Sequence, residues 1–313
     1  MRMSDLAIEV SDLTKSYGDR KALDRVTLQV ESNHIAALLG PNGGGKTTLF
    51  RILATLLQPD SGSVRICGFD PVTAPDRVRR VVGVVFQSPS LDKKLTAAEN
   101  LRHHGHLFGM RGRSLERRIG VMLERFNIDD RANDQVETLS GGLARRVEIA
   151  KGMLPGPEVL LLDEPSTGLD PVARLELWRQ LDEVRISEGV AVLMTTHILD
   201  EAERCDRVTI LDVGCVVAAD SPAALKGQVG GEVIRIDSDQ PQAIVERIRE
   251  SMNLTAEIVG RTVRIESPEG AGLIPKLAEV LDDQVQTITL GHPTLEDVFI
   301  HKTGRSFDRE REA

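Results

Sequence analysis

The sequence predicts an α/β fold, a mostly parallel sheet wrapped by helices, followed by a smaller α+β unit toward the C-terminal end. Three observations carry this expectation. The runs HIAALL (His34 to Leu39), Val159 to Leu162 and GVAVLM (Gly189 to Met194) are short and continuously apolar, as strands buried on both faces are. Stretches with apolar residues at helical spacing, such as TLFRILATLL and RLELWRQLDEVRI, lie between them. The corner after the first run, Gly40 to Thr48 (GPNGGGKTT), fits G-x-x-x-x-G-K-[ST], with Gly40, Gly45, Lys46 and Thr47 at the fixed positions.

Strand, glycine-rich loop and helix in succession mark a phosphate-loop NTPase core. Glycines let the backbone curl so that successive N–H groups face a phosphate, and the following helix adds its positive end. The candidate nucleotide-binding set is therefore Gly40, Pro41, Asn42, Gly43, Gly44, Gly45, Lys46, Thr47 and Thr48. Lys46 would reach the β- and γ-phosphates of a bound nucleotide, and the Thr47 hydroxyl would ligate Mg²⁺.

Composition narrows the rest. A chain of 313 residues suggests one large and one small domain. The formal net charge of −9 disfavours a nucleic-acid partner, although one local basic patch stays open. No apolar run approaches the ~18–20 residues that cross a bilayer, and MRMSDLAIEV lacks the apolar core of a signal peptide. Cys67, Cys205 and Cys215 have neither paired nor metal-ligand spacing, so packed, reduced thiols are expected.

In chain order, Leu6, Ile8 and Val10 alternate, as do Val26, Leu28 and Val30, which predicts two strands around a turn holding Tyr17. Tyr17 could stack on a purine, or could be an exposed turn residue. After the breaker cluster Gln58 to Gly62 come a short strand at VRICGF and a second at VRRVVGVVFQ, ending at Gln87. That glutamine could place its amide near a metal-bound water, or simply open the next loop. Residues 88–157 read as helices, among them LTAAENLRHHGHLFGM and SLERRIGVMLERFNI. His103, His104 and His106 lack a neighbouring Cys or carboxylate at ligand spacing, which favours a solvated or partner-facing surface over a metal site.

Ser140 precedes Gly141 and Gly142 as a helix N-cap, with Leu143, Val147, Ala150 and Leu154 on one face. Two glycines at a helix start leave N–H groups open to an anion, though an ordinary cap reads the same way. Asp163 and Glu164 stand where a core strand ends, the edge at which parallel sheets bind ligands. One carboxylate can hold Mg²⁺ while its neighbour takes a proton from an attacking water. His197 ends the next strand and could contact a γ-phosphate.

With these motifs in this order, residues 5 to 226 resemble the ATP-binding subunit of an ABC transporter. Tyr17 matches the adenine-stacking aromatic, Gly40 to Thr48 the Walker A loop and Gln87 the Q-loop glutamine. Ser140, Gly141 and Gly142 match the signature motif, Asp163 and Glu164 the Walker B pair, Asp170 the D-loop aspartate and His197 the switch histidine. Leu143 replaces the glutamine of LSGGQ, a variant familiar in drug and lipid exporters; Gly44 stands where Ala or Ser is common. The entry SNHI lacks the usual Gly-Glu, and nothing explains that change.

The resemblance implies an ATP- and Mg²⁺-dependent ATPase cassette spanning 1–226, with a helical subdomain at about 88–157. It implies a homodimer in which Ser140, Gly141 and Gly142 grip the partner's ATP and Asp170 joins the nucleotide site. Lys46, Glu164 and His197 would carry catalysis, and Thr47, Gln87 and Asp163 would hold the metal. It further implies a separate transmembrane permease, which reads the transported substrate, and a place on the cytoplasmic face of the membrane. A non-transport relative of the translation or DNA-repair type is the alternative, but no second cassette or long coiled coil is present. A phosphate-loop GTPase is a further rival, separable by Tyr17-dependent preference for ATP over GTP.

Residues 227–303 are expected to form a small C-terminal domain, in which about 231 to 291 read as β-α-β-β-α-β, a ferredoxin-like unit. A helix follows Thr294, with Leu295, Val298 and Phe299 on one face. PTLEDVFI resembles the C-terminal mark of daunorubicin-type exporter ATPases, a branch that includes copper and sodium exporters. The unit is either a structural appendix or a regulatory or dimer-stabilising domain, and 304–313 is expected to be a disordered tail.

Overall fold

The computed structural model describes residues 6–282 and 285–307. The chain opens with β1 (Leu6–Tyr17) and β2 (Arg20–Glu31), an antiparallel pair that buries the alternating Ile8, Val10, Val26, Leu28 and Val30. β3 (Ile35–Leu39) leads through the glycine-rich loop into α1 (Lys46–Leu53). β4 (Ser61–Ile66) then returns to β1, making an antiparallel sheet ordered β2-β1-β4.

The run VRRVVGVVFQ is not one strand. α2 (Pro75–Val81) takes its first half and β5 (Val82–Val85) its middle. Pro75 lies in the first turn of α2, where a missing N–H costs nothing. Val78 turns inward while Arg77, Arg79 and Arg80 face solvent, one apolar residue per turn rather than an alternation. Gln87 consequently stands beyond the strand, in the loop that follows.

The helical segment consists of α3 (Ala97–Leu107), α4 (Gly112–Arg125) and α5 (Gly141–Met153). Thr96 and Glu99 close a capping box on α3, and Leu115, Ile119, Met122 and Leu123 form the buried stripe of α4. The three histidines do not converge. His104 lies against Phe108 with ring centroids 4.9 Å apart, whereas His103 and His106 meet edge-on at 6.5 Å. Among the described residues no group of three His, Cys, Asp or Glu could hold a metal. Burial pushes the Cys67 thiol up to about 12 and raises Cys205 as well, whereas Cys215, also expected to be packed, is exposed.

Next come β6 (Val159–Asp163), α6 (Pro171–Glu188), β7 (Ala191–Thr196), α7 (Leu199–Ala202), β8 (Arg207–Asp212) and β9 (Cys215–Asp220). They complete a sheet ordered β5-β6-β7-β3-β8-β9, in which β5, β6, β7, β3 and β8 run parallel. β9 lies at the edge of this sheet, where the run CVVAA is apolar enough to pair. Every residue of β3, β6 and β7 is buried. α1 packs on β2 and also on β6 and β7, so Leu49, Phe50, Ile52 and Leu53 join both sheets in one core. Each such side chain contributes about 1.5–3 kcal/mol by burial.

Register aligns the ends of these strands. Leu39 pairs with Thr196, and Asp163 pairs with Thr195. Gly40, Glu164 and His197 therefore leave the sheet side by side, at the carboxyl edge where open α/β sheets bind ligands.

Contacts divide the chain between Val216 and Val217 rather than after Lys226. The second unit holds α8 (Pro222–Lys226), β10 (Glu232–Asp237), α9 (Pro241–Met252), β11 (Glu257–Val259), β12 (Thr262–Ser267), α10 (Gly270–Leu281), β13 (Thr287–Gly291) and α11 (Leu295–Thr303). α8 falls on this side because it packs on α11. The sheet is antiparallel and ordered β11-β12-β10-β13, so β12 lies between the two strands that α9 connects. Ile234, Ile236, Ile244, Ile248, Val263 and Leu277 form its core.

Thr294 caps α11 in a box closed by Asp297. Asp297 is buried, accepts from Arg264 Nε at 3.0 Å and pairs with Arg235. Of the expected disordered tail, Phe307 instead packs on Phe299 with ring centroids 5.0 Å apart. Residues 308–313 of that tail lie outside the described residues.

Candidate active site

The glycine-rich loop is shaped by what surrounds it. A Cβ on Gly40 would sit 2.2 Å from the Leu211 carbonyl oxygen, and one on Gly45 would sit 2.6 Å from that of Ala22. Gly45 also has φ of 105°, a conformation open to glycine. Lys46 is 4% exposed, and its Nζ donates to the carbonyls of Gly40 at 2.7 Å and Pro41 at 3.0 Å. No side chain caps α1, which leaves its first N–H groups to an anion.

A cleft of about 410 Å³ opens above this loop, bounded by Tyr17, Arg20, Asn42, Gly43, Lys46, Thr47, Thr48 and Glu164. Tyr17 is the last residue of β1 rather than a turn residue, and it is 49% exposed. Arg20 pairs with it across the Gly18-Asp19 turn and donates to the Gly43 carbonyl at 3.4 Å. Sequence motifs do not single out Arg20. Its partnership with Tyr17 becomes readable only once a two-residue hairpin turn is assigned.

Asp163 ends β6, and Thr195 Oγ1 donates to its Oδ1 at 2.6 Å. Burial, aided by the Glu164 charge, pushes the Asp163 carboxyl above its ordinary range, against the pull of Thr195, Lys46 and Arg145. Glu164 leaves the strand at φ of 44°, in the left-handed region. That turn aims its carboxylate at groups from three segments. Gln87 Nε2 and Thr167 Oγ1 each donate at 3.2 Å, and His197 Nδ1 lies at 3.3 Å.

A second hollow, of about 390 Å³, is lined by Gln87, Gly141, Arg145, Glu164 and Gly168. Glu164 borders both hollows. Ser140, Gly142 and Asp170 do not line the Lys46 cleft of this chain. Ser140 Oγ accepts from Leu143 N at 3.3 Å and Asp170 Oδ1 from Ala173 N at 2.9 Å, each capping a helix.

A phosphate loop on the carboxyl edge of a parallel sheet, facing an acidic pair and a histidine, defines the phosphate-loop nucleotide-binding class. The ABC transporter family profile matches residues 23–167. Daunorubicin resistance ATP-binding protein DrrA3 of Streptomyces coeruleorubidus is 37% identical over 311 residues, covering 96% of this chain and 97% of its own length. Nod factor export ATP-binding protein I of Rhizobium sp. (strain N33) is 37% identical over 98% of this chain and 100% of that protein. A solved ATP-binding subunit of an ABC transporter superposes with a TM-score of 0.64 at 32% identity, covering 71% of this chain and 92% of that one. The chain belongs to the ATP-binding subunits of ABC transporters, and its first unit is an ATP-binding, ATP-hydrolysing cassette.

Proposed function

We propose that the chain hydrolyses ATP in the Lys46–Glu164 cleft to drive export through a separate transmembrane permease, as a homodimer on the cytoplasmic face of the membrane. The observation that carries the catalytic reading is the convergence of Gln87, Thr167 and His197 on Glu164, beside the phosphate loop. Export is supported by the relatives named for daunorubicin resistance and Nod factor export, matched along nearly the whole chain. Among the described residues no helix is long and apolar enough to cross a membrane, which suits a permease carried on another chain. The copper- and sodium-exporter likeness stays with the branch. We read the second unit as ferredoxin-like, and as an accessory domain.

Tyr17 stacks on the adenine, and the loop from Gly40 to Thr48 wraps the phosphates. Glu164 accepts a proton from the attacking water as that oxygen bonds to the γ-phosphorus. The bond from the γ-phosphorus to the bridging oxygen breaks, giving ADP and inorganic phosphate. Lys46 offsets the developing charge and His197 steadies the γ-phosphate.

Thr47, Asp163 and Gln87 would hold Mg²⁺, which neutralises phosphate charge when bound. The donor set fits, since a hydroxyl, a carboxylate and an amide oxygen are the hard ligands this ion prefers. Asp163, whose buried charge is only partly offset, gains most from a cation. Ser140, Gly141, Gly142 and Asp170 act across the dimer on the partner's nucleotide, which accords with their position outside this chain's own phosphate cleft.

Purification of the tagged chain from native membranes tests the proposal. The expected result is a co-purifying multi-span protein and ATP turnover that Lys46→Ala removes. Recovery with ribosomes or a DNA-repair complex, and no membrane partner, would contradict it.

A further inference from the structure

Arg145 lies just past the first turn of α5, the helix whose start carries Ser140, Gly141 and Gly142. Its side chain is only 10% exposed. The guanidinium donates to three backbone carbonyls, those of Phe86 at 2.7 Å, Pro165 at 2.9 Å and Asp163 at 3.1 Å. It also meets the Glu148 carboxylate at 3.1 Å. Asp163 and Pro165 flank Glu164 in the chain, and Phe86 precedes Gln87. One planar fork of N–H donors thus holds the backbone on both sides of the candidate proton acceptor and beside its glutamine partner.

That grip acts where the backbone needs one. Glu164 has φ of 44°, and a non-glycine residue keeps such a conformation only when its surroundings enforce it. The same face of α5 secures the far end of the Gln87 loop. Glu148 accepts from Ser90 N at 2.5 Å and Ser90 Oγ at 3.0 Å, and Lys151 donates to the Ser90 carbonyl at 3.2 Å. Glu148 and Lys151 are 3% and 9% exposed. Residues 145, 148 and 151, one helical turn apart, tie α5 to both ends of that loop.

We propose that Arg145 is a positioning residue for ATP hydrolysis, fixing Glu164 and Gln87 through their backbone and coupling both to the placement of α5. The inference rests on Glu164 as the proton acceptor. A shift of α5, such as engagement of Ser140 by a phosphate would produce, moves the carboxylate and the glutamine together.

The test is steady-state ATP turnover by the full chain as wild type, Arg145→Lys, Arg145→Met, Glu164→Gln and the two double variants. Arg145→Met is expected to lower kcat about tenfold to a hundredfold with KM for ATP within about twofold, because misplacement of a catalytic group costs rate rather than binding. Arg145→Lys, which keeps the charge and can reach one carbonyl, recovers part of the loss. In the Glu164→Gln background the residual rate should not depend on residue 145, since its effect passes through Glu164. Undiminished kcat in both single variants overturns the inference, and so does an equal fold-loss in both backgrounds. If Arg145→Met fails to fold, Arg145→Lys completes the same cycle. Wild-type turnover by Glu164→Gln alone overturns the proton-acceptor reading and this inference with it, whereas a slow Glu164→Gln beside an unaffected Arg145→Met overturns this inference alone.

Discussion

Gln87 and Glu164, 77 residues apart in the chain, meet through a hydrogen bond from Nε2 to Oε2 of 3.2 Å. The contact joins the loop leading into the helical segment to the carboxylate placed to take a proton. Gln87→Ala removes one hydrogen bond to a charged partner, worth about 1.5–3 kcal/mol. Turnover is expected to fall by about tenfold or more. Equal kcat for the variant and the wild type would show that the contact is incidental.

Lys46 is folded beneath the loop by the Gly40 and Pro41 carbonyls, so its ammonium is ordered before any phosphate arrives. Lys46→Ala is expected to weaken ATP binding by about tenfold or more, the scale of a lost charge-assisted contact. Fluorescence titration with a labelled nucleotide checks this. Undiminished affinity and turnover would count against the loop as the phosphate site.

Much of this site is legible in sequence because its chemistry sits in contiguous residues. The glycines, Lys46 and Thr47 must follow one another for a backbone to wrap a phosphate, and Asp163-Glu164 must end a buried strand. What escapes is contact with the backbone of distant residues. Arg145 bonds to carbonyls that every residue type supplies, so no motif announces its role. Arg20 depends on a hairpin register, and α2 hides in a Val-rich run whose arginines face outward. Phe307 looks like part of a charged tail until Phe299 is seen beneath it.

Burial pushes the His104 imidazole down to about 4, and the nearby Lys151 charge adds to the effect. The unfolded side chain titrates near ~6.5, so the unfolded state binds more protons between the two values. The stability contribution is therefore complete above that upper value and is lost as pH falls toward 4, by about 3 kcal/mol in all. Urea unfolding at about pH 7.5 and about pH 4.5 is expected to show a smaller difference for His104→Gln than for wild type. Identical pH dependence in the two proteins would contradict the assignment.

In the second unit, Asp297→Ala removes the buried carboxylate shared by Arg264 and Arg235, leaving Glu266 at 2.7 Å as the remaining partner of Arg264, and opens the capping box of α11. Breaking a buried pair on one side costs about 3–5 kcal/mol when the remaining charge is uncompensated, and the Glu266 carboxylate beside Arg264 places the cost below that range. Calorimetry of the full chain is expected to show a clear loss of melting temperature. An unchanged profile would mean that the Asp297 cluster contributes little.

Glu164→Gln is the most direct measurement of how the site works. The substitution keeps the shape of the side chain but removes the carboxylate that accepts a proton, a role worth about 10²–10⁴-fold in rate. Turnover should nearly vanish while ATP still binds, and size-exclusion chromatography with ATP should reveal a nucleotide-held dimer that the wild type does not accumulate. Hydrolysis at the wild-type rate, with no such dimer, would contradict both the proton-accepting role of Glu164 and the shared site built around it.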